Sequence, residues 1–211
     1  MQRAIVGLVV LLFVWPLGSS AQDTDRRARA AQLAVLGDRF AQAGDRVSAR
    51  AYFRDAITAD PSFTDAYASL GELELAREAY RDAEATFRVG LVRASPNARL
   101  WIGLARALDG LGAAADADAV LAQAEAQLRE DPELLAFRAD RAEQRGRWSL
   151  ALALTRRLAL RAARAGEADR AAALRARARA LAVLVGELDP VRVPSAQPSR
   201  VRQLLAGRGR D

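Results

Sequence analysis

The sequence predicts an all-α protein made of repeated helix pairs, and three observations carry that prediction. The first is composition: alanine fills about 23% of the chain, with Leu, Arg, Glu and Gln prominent beside it, and these are the strongest helix formers. The second is a period of 34 residues. Leu36, Leu70 and Leu104 are followed at once by Gly37, Gly71 and Ala105, while Ala49, Ala83 and Ala117 align, as do Phe53, Phe87 and Leu121, and Ala56, Gly90 and Ala124. Such self-similarity marks a repeat architecture. The third is punctuation. Gly44-Asp45 is a turn pair, and Asp60-Pro61, Ser95-Pro96, Asp131-Pro132 and Asp189-Pro190 each stop a helix, because Pro cannot continue one and disfavours helix at the residue before it.

Taken in order, residues 1–21 read as a secretory signal peptide: Arg3, an apolar run from Ala4 to Leu17, then Ser19-Ser20-Ala21 before a cut. An uncleaved inner-membrane anchor is the alternative, although the run falls short of the roughly 20 apolar residues that a span needs. Residues 22–187 form the repeat domain. Its first helix runs from about Gln32 to Ala43 and its second from Val47 to Thr58, and stepping this pair gives repeats at about 30–63, 64–97 and 98–131. A fourth, at 132–165, is degenerate: Leu135, Ala139, Ala151 and Leu158 keep the pattern, whereas Arg138 and Thr155 break it. One pair cannot bury its apolar face alone, so neighbours must stack. A helix at 167–186, with Leu174, Leu181 and Val185 near one face and arginines over the rest, caps the array. Residues 188–211, with three Pro and five Arg, form a basic flexible tail with a short helix at 199–205.

Much chemistry is excluded. All 32 basic residues are Arg, and the chain has no His, Cys or Lys. It therefore lacks an imidazole base, a thiolate, a Schiff-base amine and a P-loop lysine. The remaining carboxylates do not pair as an acid and a base would: Asp116 and Asp118 sit two apart at a helix start, Glu130-Asp131 ends a helix, and Asp23 and Asp25 fall in a mobile N-terminus. No catalytic residue, metal cluster or cofactor motif is expected, and the chain reads as a non-enzyme. The Ala/Arg excess itself fits a GC-rich bacterial genome.

The 34-residue period, Leu-Gly on the first helix, Ala-x-x-x-Phe-x-x-Ala on the second and a closing Pro together resemble the tetratricopeptide repeat. Leu33, Leu36, Gly37, Phe40, Gly44, Ala49, Phe53, Ala56 and Pro61 carry nearly the whole pattern, and Glu74 departs from it where an aromatic is usual. The resemblance implies a right-handed superhelical solenoid of antiparallel helix pairs whose concave groove is lined by first helices. Its small columns mark close helix crossings. Outward positions on those helices then form three columns: Asp38, Glu72, Arg106 and Asp140; Ala68, Ile102 and Ala136; Asp65, Arg99 and Glu133. Of these, Asp38, Asp65, Ala68, Glu72, Arg99, Ile102, Arg106, Ala136 and Asp140 are the candidate partner-binding residues. Relatives that clamp a peptide's terminal carboxylate use Lys and Asn in such columns. Here Ala34, Asp38 and Glu72 stand there, which disfavours that ligand.

Charge is uneven: residues 22–137 hold 14 Arg and 19 acids, whereas 138–211 hold 17 Arg and 7 acids. Arg157, Arg161 and Arg164 share a helical face. The sequence thus supports an exported, periplasmic or secreted adaptor that binds a protein or peptide through its groove as a scaffold in the bacterial envelope. The alternative is a module that binds an anionic membrane surface or a polyanion through that basic half. Nucleic acid is disfavoured for want of interleaved aromatics, and the oligomeric state is open.

Overall fold

A computed structural model describes residues 19–187, and the regular structure among them is entirely helical. The helices are α1 (Ser19–Gln42), α2 (Arg46–Ala59), α3 (Thr64–Leu75), α4 (Tyr80–Arg93), α5 (Ala98–Gly110), α6 (Ala114–Gln127), α7 (Pro132–Gln144), α8 (Trp148–Arg164) and α9 (Ala168–Leu184). They fall into two compact units that meet in sequence between Pro96 and Asn97. In the first, α1 packs on α2, α3 on α4, and α3 also lies against α1 and α2. In the second, α5 packs on α6, α7 on α8 and α8 on α9, with α7 beside α5 and α6. Residues 188–211 and most of the expected leader lie outside the described residues.

One expectation is corrected at the start of the chain. The first helix begins at Ser19, not near Gln32, so Asp23 and Asp25 lie on α1 and not in a mobile segment. From Gln22 to Arg29 every residue is exposed. No apolar period announces this stretch, and its Ala, Arg and Gln content alone favours helix.

The small columns pack as their spacing requires. A Cβ added to Gly37 would lie 2.5 Å from a ring carbon of Phe53, and one on Gly71 would lie 2.5 Å from Phe87. Each glycine therefore sits directly under the aromatic ring of the partner helix. In the second unit the aromatic place holds the smaller Leu121 and Thr155, and the glycine place holds the larger Ala105 and Ala139, all buried. Volume moves from one helix to the other, the kind of swap a core tolerates best. Leu36 is half-buried, while Leu70, Leu104, Ala49, Ala56, Ala83, Ala117 and Ala124 are buried.

Turns repeat as faithfully as cores. The N–H of Asp45 donates to the carbonyl of Phe40, Ala79 to Glu74, Ala113 to Leu108 and Arg147 to Ala142. This is the six-to-one bond of a Schellman cap, whose preceding residue must be left-handed. Gly44, Gly112 and Gly146 fill that place at φ of 83°, 75° and 66°, but Glu78 fills it at φ 58°. Where side chains cap helix starts, the donors are met directly: Asp45 accepts from the Ser48 N–H at 3.0 Å, Asn97 from Leu100 at 3.0 Å and Asp131 from Leu134 at 2.9 Å. Pro61 is exposed at the α2–α3 turn, where its carbonyl accepts from the Tyr67 hydroxyl at 3.0 Å.

Candidate interaction face

The first-helix columns divide by burial. Asp38 and Glu72 in the first unit, and Arg106 and Asp140 in the second, are all exposed, and each directly follows a small residue of the close crossing. Helix geometry explains the recurrence: one residue past a buried contact is a turn of about 100°, enough to reach solvent. Among the described residues Asp38 and Arg106 carry no ion pair, whereas Asp140 accepts from Arg177 Nη2. Glu72, Asp65 and Arg99 each have a polar or electrostatic partner. Asp65 and Glu133 are exposed, and Arg99 is half-buried.

The apolar column needs correction. Ala68 is 0% exposed and Ile102 only 9%, so neither side chain offers surface to a partner. Ala136 is half-buried. The face available on the first helices is therefore a charged one.

The expected basic patch changes as well. Arg157 is drawn onto carboxylates: its Nη1 meets Glu125, and its Nη2 and Nε reach Glu130 Oε1 at 2.8 and 3.1 Å. Arg161 and Arg164 remain without an ion pair among the described residues. Two charges, not three, are thus left on that face.

Two polar centres have no counterpart among the sequence expectations. In the second unit Arg141, 7% exposed, donates from Nε and Nη2 to the two oxygens of Asp109, both at 2.8 Å, and from Nη1 to Asp118. Arg145 adds a second contact to Asp109 at 2.7 Å, and Arg147 one to Asp118 at 2.7 Å. Burial works against the charge on Asp118, but hydrogen bonds from Arg141 and Arg147 outweigh it and hold its carboxyl below the usual range. Arg138, which breaks the Leu36 column, pairs with Glu125. In the first unit Glu74 is 3% exposed, accepts one hydrogen bond from Thr86 Oγ1 at 2.7 Å and lies 3.9 Å from Arg50 Nη2. Burial pushes its carboxyl up, only partly opposed by Thr86 and Arg50. The one signal available in sequence was an ionisable residue in an otherwise apolar column: Glu74 steps with Phe40, Leu108 and Ala142, whereas Arg141 shares its column with Arg39 and gave no such signal.

In both centres each carboxylate is engaged by a guanidinium or a hydroxyl. Among the described residues no group of three or more potential ligands could hold a metal ion, and no helix is long and apolar enough to cross a membrane.

No family model and no curated protein matches the chain. Solved structures do. TTC0263, a thermophilic tetratricopeptide-repeat protein of Thermus thermophilus, is 20% identical, with 84% of this chain and 98% of that one covered at a TM-score of 0.51. A chain of the Cut9–Hcn1 hetero-tetramer of the APC/C is 17% identical over 76% of this chain and 36% of that one, at 0.51. YrrB, a tetratricopeptide-repeat protein with an unusual peptide-binding site, is 18% identical over 78% of this chain and 95% of that one, at 0.47. With its 34-residue helix pairs, its glycine-under-aromatic crossings and its likeness to TTC0263, the chain has the tetratricopeptide-repeat fold.

Proposed function

We propose that the chain is a non-catalytic adaptor that holds a protein or peptide partner against its first helices, as a scaffold exported to the bacterial envelope. One observation carries the reading: in all four helix pairs the residue after the close crossing is an exposed charge, Asp38, Glu72, Arg106 and Asp140. Packing fixes the residue before it and leaves this one free to vary with the ligand. Three acids and one base, with no open apolar neighbour at Ala68 or Ile102, favour a polar, mixed-charge partner segment over a greasy one. Export rests on residues 1–21, and the want of His, Cys and Lys supports the non-catalytic part.

The test is affinity capture from an envelope extract, comparing the chain with a triple variant, Asp38→Arg, Glu72→Arg and Arg106→Glu. A discrete protein should be retained by the first and lost by the second, with helical circular dichroism unchanged. A partner retained equally by both would place recognition elsewhere.

A further inference from the structure

A cavity of about 70 Å³ lies in the second unit where α6 meets α7 and the start of α8. Arg138, Arg141 and Arg147 line it against a single carboxylate, Asp118, and Leu121 and Ala142 supply its apolar wall. Arg141, Leu121 and Ala142 are buried, whereas Arg147 is exposed, as is Leu150 beside it. Ions in solution therefore reach the cavity from the start of α8.

Two repeats earlier the same joint carries the opposite charge balance. Asp118 steps back to Arg50, Arg141 to Leu73, Ala142 to Glu74 and Leu150 to Asp82. Arg50 lies 3.9 Å from Glu74 and 4.0 Å from Asp82, so one cation faces two carboxylates. That negative surplus has an outlet within the chain, because burial pushes the Glu74 carboxyl up toward its neutral form. The two joints differ in filling as well. Phe53 packs with Leu70 and Leu73 in the first; the smaller Leu121 stands in its place in the second, and Ala142 in the place of Glu74. The cavity lies beside both reductions.

In the second unit the surplus is positive and has no such outlet. Arg141, Arg145 and Arg147 share two carboxylates, Asp109 and Asp118. Arg138 pairs with Glu125, which also serves Arg157, and Arg157 adds Glu130. Five guanidiniums thus meet four carboxylates, and arginine does not release its proton. Burial, and after it the like charge of Arg157, works against the Arg138 guanidinium. An uncompensated charge away from water is costly, and a counter-charge relieves it.

We infer that this cavity binds one small monovalent inorganic anion, the size of chloride, which neutralises the surplus guanidinium at the joint of α6, α7 and α8. The guanidiniums offer charge-assisted N–H donors, and the volume suffices for a halide with accompanying water but not for a lipid headgroup or a helix. The site is separate from the first-helix columns.

The probe is chloride, observed by chlorine nuclear magnetic resonance with the full chain. Ionic strength is held constant with sodium gluconate, whose anion is too large for the cavity. Exchange with the site should broaden the chloride line saturably. Arg147→Gln should weaken the affinity at least roughly tenfold, as loss of one charge-assisted hydrogen bond requires. Leu121→Phe keeps all five arginines but restores the larger side chain of the first unit, and should abolish the saturable broadening while helical circular dichroism persists. Arg175→Gln, at an exposed arginine outside the cavity, should leave it unchanged. By linkage, the urea midpoint followed by tryptophan fluorescence should be higher in chloride than in gluconate for the parent chain and equal in both for Leu121→Phe.

Absent saturable broadening overturns the inference, since the cavity would then hold water alone. So does broadening that survives Arg147→Gln or a folded Leu121→Phe, which would place the ion elsewhere. Broadening lost equally with Arg175→Gln would belong to the basic surface at large and overturn it too.

Discussion

The two units share a 34-residue period, yet they solve the joint between successive helix pairs with different chemistry. In the first, Phe53 and Phe87 lie over glycines, and the buried carboxyl of Glu74 has a single neutral donor and a distant guanidinium. In the second, Leu121 and Thr155 stand opposite alanines, and arginines from α7 and α8 are laced to Asp109, Asp118, Glu125 and Glu130. The lesson is that, among the described residues from 138 onward, eight of twelve arginines are held in ion pairs. Sequence charge overstated the free basic surface because it counts arginines without their partners.

The largest expected effect lies in the second unit. Arg141→Met leaves Asp109 and Asp118 facing each other with only the half-exposed Arg145 and Arg147 between them, and should cost about 3 kcal/mol in chemical denaturation, as breaking a buried pair does. A loss below about 1 kcal/mol would mean that Arg145 and Arg147 suffice. In the first unit Gly71→Ala drives a methyl to 2.5 Å from the Phe87 ring and should cost about 2 kcal/mol. Combining it with Phe87→Leu, the pairing the second unit uses at Ala105 and Leu121, should recover part of that loss.

Smaller effects sharpen the same contrast. Thr155 is fully buried with an unpartnered hydroxyl, so Thr155→Val should stabilise the second unit by about 1 kcal/mol. Glu78→Gly should stabilise the first by about 1 kcal/mol, because Glu78 holds a left-handed conformation that glycine adopts without cost.

Acid should separate the units. Glu74 binds its proton more readily folded than unfolded, so its contribution rises as pH falls from neutrality toward the ordinary carboxylate range. Asp118 has the opposite sign: its contribution is present at neutrality and lost as pH falls below that range through its lowered folded value. All three tyrosines belong to the first unit, and Trp101 and Trp148 to the second. In a Trp15→Phe background, tyrosine near-ultraviolet dichroism should therefore show strengthening in mild acid, abolished by Glu74→Gln, while tryptophan fluorescence should not.

What the sequence disclosed follows from how far apart cause and effect lie. The glycine-under-aromatic crossing was legible because one residue type at one spacing has one packing reason. The extension of α1 back to Ser19 was not, since its exposed residues carry propensity but no period. Glu78 lay in plain step with Gly44 and Gly112, but Glu is no turn residue, and only the backbone shows what the place demands. The ties of Arg141 to Asp109 and Asp118 span 32 and 23 residues, and several carboxylates were equally eligible until the helices were placed. Ala68 and Ile102 were expected on the binding face because column stepping fixes a helix register but not how deep a neighbour reaches. The exposed charges after each crossing survive that correction.

The most direct measurement places a photo-crosslinking amino acid at Asp38 and, separately, at Arg106, with Arg88 and Ala122 on exposed second-helix positions as controls. Irradiation in envelope extract should yield the same adduct from Asp38 and Arg106 and none from Arg88 or Ala122. Adducts arising only from the second-helix positions, or equally from all four, would contradict recognition by the first helices.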